Sequence, residues 1–75
     1  MKKSEIEVGR TYTNGKGREH RVIARGPEYK FYAGCQSEDN VRYEIVKDGS
    51  KANRLAGTQA NMTTSAFAAW ARGVV

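Results

Sequence analysis

The chain has 75 residues, of which 13 are Lys or Arg and 8 are Asp or Glu, so its formal net charge is +5. This length predicts a single domain, residues 1–75, with a small core, and 39% hydrophobic residues exclude a disordered chain. The single cysteine, Cys35, excludes an internal disulfide and a multi-cysteine zinc site, while the positive charge favours anionic partners such as nucleic acid.

A hairpin is predicted close to the start of the chain. Residues 8–13, VGRTYT, predict a first strand with Tyr12 directed towards the core. Asn14 and Gly15 follow it, and this pair is a strong signal for a tight turn because both positions tolerate positive φ. The glycine-rich stretch around Lys16 therefore predicts a turn rather than a phosphate-binding loop, which would require a helix directly after it.

The second predicted strand covers about residues 19–25 and alternates between two faces. Val22 and Ala24 share one side, as expected for a half-buried strand. The opposite side carries Arg21, Ile23 and Arg25. We therefore expect the arginines of this strand to point outward together.

Two further strands and a weak fifth complete the predicted sheet. The third strand, residues 29–33, follows a turn at Gly26-Pro27 and alternates aromatic residues between its faces. The fourth, residues 41–47, has the most regular alternation in the chain. Its apolar face carries Val41, Tyr43 and Ile45. A weak strand is predicted near residues 54–60, within the polar stretch that follows.

The C-terminal residues predict a short helix over about 64–72 that closes one open end of the sheet. Thr63 or Thr64 can cap its N-terminus, and Gly73 ends it. Apolar residues recur on one helical face, so Trp70 is interpreted as a core residue rather than a ligand-stacking one. The predicted core comprises Tyr12, Val22, Tyr43, Ile45, Phe67 and Trp70.

The sequence contains no recognisable catalytic or metal-binding set. One histidine and one cysteine constitute no motif, so we interpret His20 as a surface residue beside a turn and Cys35 as a partly buried thiol. Glu38 and Asp39 are interpreted as solvated loop residues rather than an acid-base pair. We therefore expect no metal, cofactor, small-molecule substrate or enzymatic activity.

The remaining candidate for a binding site is a basic face of the sheet that includes an aromatic residue. If the second to fourth predicted strands pair in order, this face suits phosphates and a stacked base. The predicted contact residues for nucleic acid or a protein partner are Lys16, Arg18, Arg21, Arg25, Lys30, Tyr32 and Arg42. The alternative is a solvated sheet face with cross-strand charge pairs to Glu19 and Glu44.

Four segments follow one another along the chain: EVGRTYTNGKGREHRVI, GPEY, VRYEIV and TTSAFAAWA. This order resembles a group of small phage and prophage accessory proteins, and the resemblance covers nearly the whole chain. The matching positions are structural ones: Gly9, Tyr12, Asn14, Gly17, Val22, Phe67 and Trp70. The resemblance implies a mainly β fold, a small SH3-like barrel of about five short antiparallel strands with a short C-terminal helix. It also implies a viral origin, and it transfers no catalytic site.

Two function classes remain open. The first is a non-enzymatic, phage- or prophage-derived module that binds nucleic acid through a basic sheet face. The second is a phage accessory inhibitor or adaptor that binds a host or defence-system protein. The first residues lack the apolar segment of a secretory signal, and no run approaches the ~20 apolar residues of a membrane span. We therefore expect no membrane contact and a location in the cytoplasm of a bacterial host.

Overall fold

The computed structural model describes residues 1–75 as one antiparallel sheet with a short helix against one of its faces. The elements, in chain order, are a 3₁₀ turn Lys3–Glu5, β1 Thr11–Thr13, β2 Arg18–Arg25, β3 Asn40–Asp48, β4 Gln59–Thr63, α1 Thr64–Trp70 and β5 Gly73–Val74. The strand order is β4-β3-β2-β1-β5. The predicted class is confirmed, namely a mainly β fold of five short antiparallel strands with a short C-terminal helix. The sheet is not closed, because β4 and β5 lie at its two edges.

The core lies between α1 and the inner face of the sheet. Tyr12, Val22 and Phe67 are fully buried, and the rings of Tyr12 and Phe67 meet edge to face with their centroids 5.6 Å apart. Ile45 and Trp70 are only partly buried and pack at the margin of the core. Burying these aromatic rings removes the largest apolar areas in the chain from water, so they dominate the stability of so small a domain.

The helix is shorter than the sequence predicts. The hydroxyl of Thr63 accepts a hydrogen bond from the amide of Ala66 at 3.1 Å and so caps the first turn. The chain leaves the helix after Trp70, because Gly73 and Val74 pair with β1 as a fifth strand. This two-residue strand, absent from the sequence prediction, holds the end of the helix beside the β1–β2 turn.

The β1–β2 turn is built around the side chain of Asn14. Its Oδ1 accepts hydrogen bonds from the amides of Lys16 at 2.8 Å and Arg18 at 3.1 Å. Gly15 and Gly17 have φ angles of 76° and 91°, a region that side chains disfavour. The glycines around Lys16 therefore serve the geometry of a hairpin.

Two irregularities in the β2–β3 pairing change which residues share a face. Val22 lies opposite Tyr43, but the next pair is Ala24 with Arg42, so Ile23 is an extra residue in β2. A second shift lies between Glu19 and His20. Because a β-bulge interrupts the alternation of side chains, residues on the two sides of Ile23 no longer keep a common two-residue period.

The strand predicted over residues 29–33 is wrong. These residues belong to a loop between β2 and β3, residues 26–39, which we call the aromatic loop. No strand pairs with these residues, although the outer edge of β4 is free. Buried Asn40 holds the loop instead, since its Nδ2 donates to the carbonyls of Ser37 at 2.9 Å and Pro27 at 3.4 Å.

The weak strand predicted near residues 54–60 overlaps the real one only at its end, because β4 starts at Gln59. The intervening loop is organised by Asp48, whose carboxylate accepts from the amide and hydroxyl of Ser50 and from the amide of Leu55. These hydrogen bonds, those of Ser50 first, lower the pKa of Asp48 to about 2.

No helix in the structure has the length and apolar character that crossing a bilayer requires.

Candidate functional site

The outer face of the sheet, the side turned away from α1, carries basic side chains that already have partners. Arg21 lies opposite Glu44 in the register, with a nitrogen-to-oxygen distance of 3.6 Å. Lys47 lies opposite Glu19 at 3.5 Å. Both pairs are partly exposed, so each contributes little stability, but each neutralises a cation on this face. The outer face therefore has the mixed charge of a solvated sheet.

Arg42, also on the outer face, is hydrogen-bonded to neutral side chains of β4. Its Nε donates to Oε1 of Gln59 at 3.0 Å, and its Nη1 donates to Oδ1 of Asn61 at 2.9 Å. The Nδ2 of Asn61 in turn donates to the carbonyl of Lys30 at 3.1 Å. This chain of bonds keeps the charge of Arg42 on the surface, but it uses the guanidinium to fix the aromatic loop against the sheet.

Arg25 does not share the outer face with Arg21, contrary to the sequence prediction. The bulge at Ile23 shifts the pairing, so Arg25 lies opposite the fully buried Val41. Its Nε and Nη2 donate to the two carboxylate oxygens of Asp39 at 2.9 and 3.0 Å. Its Nη1 also donates to the carbonyls of Ile6 at 2.8 Å and Lys3 at 3.3 Å. Arg25 is thus a structural link between the N-terminal residues and the aromatic loop.

The acid that Arg25 binds is Asp39, which lies in the loop as predicted with 43% of its side chain exposed, but which is also anchored by hydrogen bonds. Its Oδ1 also accepts from the hydroxyl of Thr64 at 2.7 Å, at the start of α1. The hydrogen bonds from Arg25 and then from Thr64 hold the pKa of Asp39 below its usual range. The carboxylate therefore stays charged and anchored, and no second acid shares its site.

Lys30 and Tyr32 lie in the aromatic loop rather than on a strand. The ammonium of Lys30 donates to the carbonyl of Cys35 at 2.8 Å and so closes the loop on itself. Phe31 and Tyr32 are 65% and 62% exposed, with their rings edge to face and their centroids 6.1 Å apart. Two large adjacent exposed rings are unusual on a small domain, and they form an apolar projection of the aromatic loop next to Lys30.

His20 is buried, which corrects its interpretation as a surface residue. Its ring lies between two others, nearly parallel to both: the centroid of Trp70 is 4.2 Å away at 4°, and that of Tyr43 is 4.6 Å away at 19°. We call these three residues the ring stack. Burial, and then the positive charge of Arg18, lower the pKa of His20 to about 4, so the imidazole is neutral at pH 7. No hydrogen bond joins His20 to Cys35, and Nδ1 is buried without a partner.

A shallow depression opens beside the outermost member of the ring stack, at the β1–β2 turn. Its volume is about 220 Å³, and it is lined by Asn14, Lys16, Ala69, Trp70 and Arg72. Pairing of β5 with β1 places Gly73 opposite Thr13, and the amide of Arg72 donates to the Thr13 carbonyl at 2.8 Å. The last residues of the chain therefore bring a cation and the edge of the helix next to the hairpin turn.

The side chains of Lys16, Arg18 and Arg72 are all exposed, and none makes an ion pair or a side-chain hydrogen bond. Arg18 does not line the depression, and its side chain lies against Gly49 in the β3–β4 loop. In the strand register it lies opposite Asp48, an ionised acid that attracts it, but the two form no ion pair within 4.0 Å. We call the depression together with Arg18 the hairpin end, and it carries three cations, none of which forms an ion pair within 4.0 Å.

The structure thus divides the predicted contact residues among three places. Lys16 and Arg18 lie at the hairpin end, Arg21 and Arg42 on the outer face, and the remainder in structural or loop positions. Sequence reasoning missed Arg72, and it assigned Trp70 to the core alone. The sequence shows that Trp70 and Arg72 lie close together at the end of the predicted helix. It does not show that they lie beside the β1–β2 turn, because the strand β5, which was not predicted, places them there.

Three or more His, Cys, Asp or Glu side chains do not converge anywhere in the structure to form a metal-binding group. No family model matches the chain, and neither a curated protein nor a solved structure matches it. The geometry of the hairpin end is therefore what identifies the candidate site.

Proposed function

We propose that the protein is a non-enzymatic module that binds nucleic acid through the hairpin end rather than through the sheet face. The observation that carries this proposal is the group of three exposed cations, Lys16, Arg18 and Arg72, without a partnering carboxylate and beside a half-buried indole. Cations that are not neutralised within the protein can replace the counterions of a phosphate backbone, and the release of those counterions drives binding.

The distribution of charge supports the same surface. The formal net charge is +5, while Arg21, Arg25 and Lys47 are each paired with a carboxylate within 4.0 Å. On the outer face, two of the three cations are therefore balanced by carboxylates, and Arg42 is bound by neutral side chains. The cations of the hairpin end, which have no ion pair, would attract the phosphates of an anionic polymer.

The test is the salt dependence of binding to fluorescein-labelled DNA oligonucleotides, single-stranded and duplex, measured by fluorescence anisotropy. Three phosphate contacts predict that the logarithm of the binding constant falls against the logarithm of salt with a slope of about −2 to −3. Replacing Lys16, Arg18 or Arg72 by Gln should each reduce this slope by about 0.7 to 0.9.

Arg21→Gln is the matched control, because it removes one positive charge from an ion-paired position on the outer face. We expect its slope to equal that of the parent protein. Binding no tighter than that of an unrelated protein of equal net charge would refute the proposal. An equal loss of slope for Arg21→Gln would also refute it, because binding would then follow total charge rather than the hairpin end.

A second candidate function is supported by the exposure of Phe31 and Tyr32 in the aromatic loop. Exposed adjacent aromatic rings are typical of the centres of protein interfaces. In this alternative, the protein is a phage accessory ligand that binds a host or defence-system protein in the bacterial cytoplasm. A pull-down from nuclease-treated lysate should then recover one stoichiometric protein. After purification, that protein should bind the parent chain but not a Phe31→Ser/Tyr32→Ser double variant. Unchanged binding by the double variant excludes this surface.

A further inference from the structure

We infer that the hairpin end recognises the single-stranded form of nucleic acid, with one unpaired base held against Trp70 and the neighbouring phosphates held by Lys16 and Arg72. This inference rests on the proposed function and specifies its ligand. It follows from three features of the depression: its size, the fixed orientation of the indole, and the separate origins of the two cations.

The size of the depression suits one planar group. Sites that enclose a whole small molecule usually measure about 300 to 1,000 Å³. The depression measures about 220 Å³ and is open to solvent between the turn and the helix. It therefore accommodates one ring system of a longer ligand, whose remaining atoms extend along the surface outside.

The indole is held in one orientation before any ligand arrives. One of its faces is covered by the imidazole of His20, nearly parallel at a centroid distance of 4.2 Å, and its ring also packs against Phe67 at 5.4 Å. The part of Trp70 that lines the depression is therefore outside the contact with His20. A ring that is already fixed loses little conformational entropy on binding, and stacking of a base on such a ring contributes about 1 to 3 kcal/mol.

The two cations of the depression come from different segments of the chain. Lys16 belongs to the β1–β2 turn, and Arg72 belongs to the connection between α1 and β5. Both line the depression together with the indole, so they can hold the phosphates next to a base that is stacked on Trp70. In a duplex the faces of the bases are covered by their neighbours, so a duplex can offer its phosphates but not a base for Trp70.

The experiment uses the intrinsic fluorescence of Trp70, which is the only tryptophan in the chain. The full chain is titrated at low salt with an oligothymidylate of about ten nucleotides and, separately, with a duplex of the same length. We expect the single strand to quench the fluorescence and to bind at least about tenfold more tightly than the duplex, as one stacked base predicts.

A charge placed in the depression provides the second measurement. Ala69 is exposed on α1 and lines the depression, so Ala69→Glu should weaken binding of the oligothymidylate by at least about tenfold while the far-ultraviolet circular dichroism stays unchanged. Ala33→Glu makes the same substitution at an exposed alanine of the aromatic loop, and we expect it to weaken binding no more than about twofold.

The outcomes separate this inference from the proposed function. Equal binding of both DNA forms without quenching would overturn the single-strand inference and leave a module that contacts only phosphates. Equal losses for Ala69→Glu and Ala33→Glu would also overturn the inference, because the depression would then not be the binding site. No binding of either DNA form at low salt would overturn both the inference and the proposed function.

Discussion

The hairpin end and the outer face of the sheet carry the same kinds of basic side chain in opposite surroundings. On the outer face, Arg21 and Lys47 each lie opposite a glutamate, and Arg42 donates to two side-chain amide oxygens. At the hairpin end, three exposed cations have neither an ion pair nor a side-chain hydrogen bond. In one region every cation is bound by a neighbouring side chain, and in the other the cations are exposed to solvent.

This difference teaches that strand register, rather than the number of cations, decides where a small basic protein offers positive charge. In an antiparallel sheet, directly opposed side chains come within interaction distance, so the glutamates opposite Arg21 and Lys47 form ion pairs with them. Arg18 lies opposite Asp48 at the end of β2 and forms no such pair within 4.0 Å. Turn residues such as Lys16 have no opposed neighbour, and their charges stay unpaired. A formal net charge of +5 is therefore compatible with a balanced sheet face and a positive hairpin end.

The largest expected effect concerns the aromatic residue that connects the hairpin end to the core. Trp70→Ala removes the outer member of the ring stack and its packing on Phe67, so we expect a loss of about 3 to 5 kcal/mol in the free energy of unfolding. Urea denaturation followed by circular dichroism measures this loss.

The control for this prediction is Arg42→Ala, a truncation of similar extent on the outer face, which should cost about 1 kcal/mol. If Trp70→Ala is as stable as the control, the indole does not support the core. The hairpin end would then be an independent surface attachment instead of an extension of the ring stack.

The second effect is a dependence of stability on pH that arises from His20. Its pKa is about 4 in the folded protein and about 6.5 when unfolded, so between these values the unfolded chain binds a proton that the folded protein does not. Stability should therefore be complete above pH 6.5 and fall as the pH drops towards 4, by a total on the order of 3 kcal/mol.

His20→Gln provides the control, because glutamine does not titrate. The free energy of unfolding of this variant should be nearly constant between pH 5 and 6.5. Asp39 and Asp48 stay ionised in the folded protein over this range, because their pKa values are lowered. Denaturant midpoints measured at several pH values test the difference in slope. A parent protein with the same flat profile as His20→Gln would show that the imidazole is solvated rather than stacked.

The predictable part of the fold is the part governed by local pattern. The regular alternation over residues 41–47 corresponds to most of β3, and Asn14 with Gly15 forms the turn of the first hairpin. Thr63 caps a helix where its hydroxyl and the following alanines predict one. In each case, a few neighbouring residues contain the whole physical signal, so no tertiary information was required.

The unpredicted parts depend on contacts between distant residues. The bulge at Ile23 is visible only in the pairing with β3, although it alone separates Arg25 from Arg21. Residues 29–33 have a strand-like alternation but pair with no strand, and the side chain of Asn61 holds them to β4 instead. The hairpin end joins residues 14–18 to residues 69–72, and a pairing of two residues between β1 and β5 brings them together. Such a short strand has too little periodicity to be detected in a sequence.

The smallest expected effect compares the two arginines that the bulge separates. Arg25 makes a bidentate ion pair with Asp39 and donates to two carbonyls, so Arg25→Ala should lower the free energy of unfolding by about 2 kcal/mol. Arg21 makes one exposed contact of 3.6 Å to Glu44, so Arg21→Ala should cost less than about 1 kcal/mol. Urea denaturation at pH 7 measures both losses.

A double-mutant cycle with Asp39→Ala isolates the ion pair of Arg25 from the lost packing of its side chain. We expect a coupling free energy of about 1 to 2 kcal/mol between these two residues, and less than about 0.5 kcal/mol between Arg21 and Glu44. The first coupling should persist at high salt, because it depends on short hydrogen bonds, whereas the second should vanish as its exposed charges are screened. Equal couplings for the two pairs would mean that both arginines lie on one solvated face, and the bulge at Ile23 would then not separate balanced surface charge from a structural ion pair.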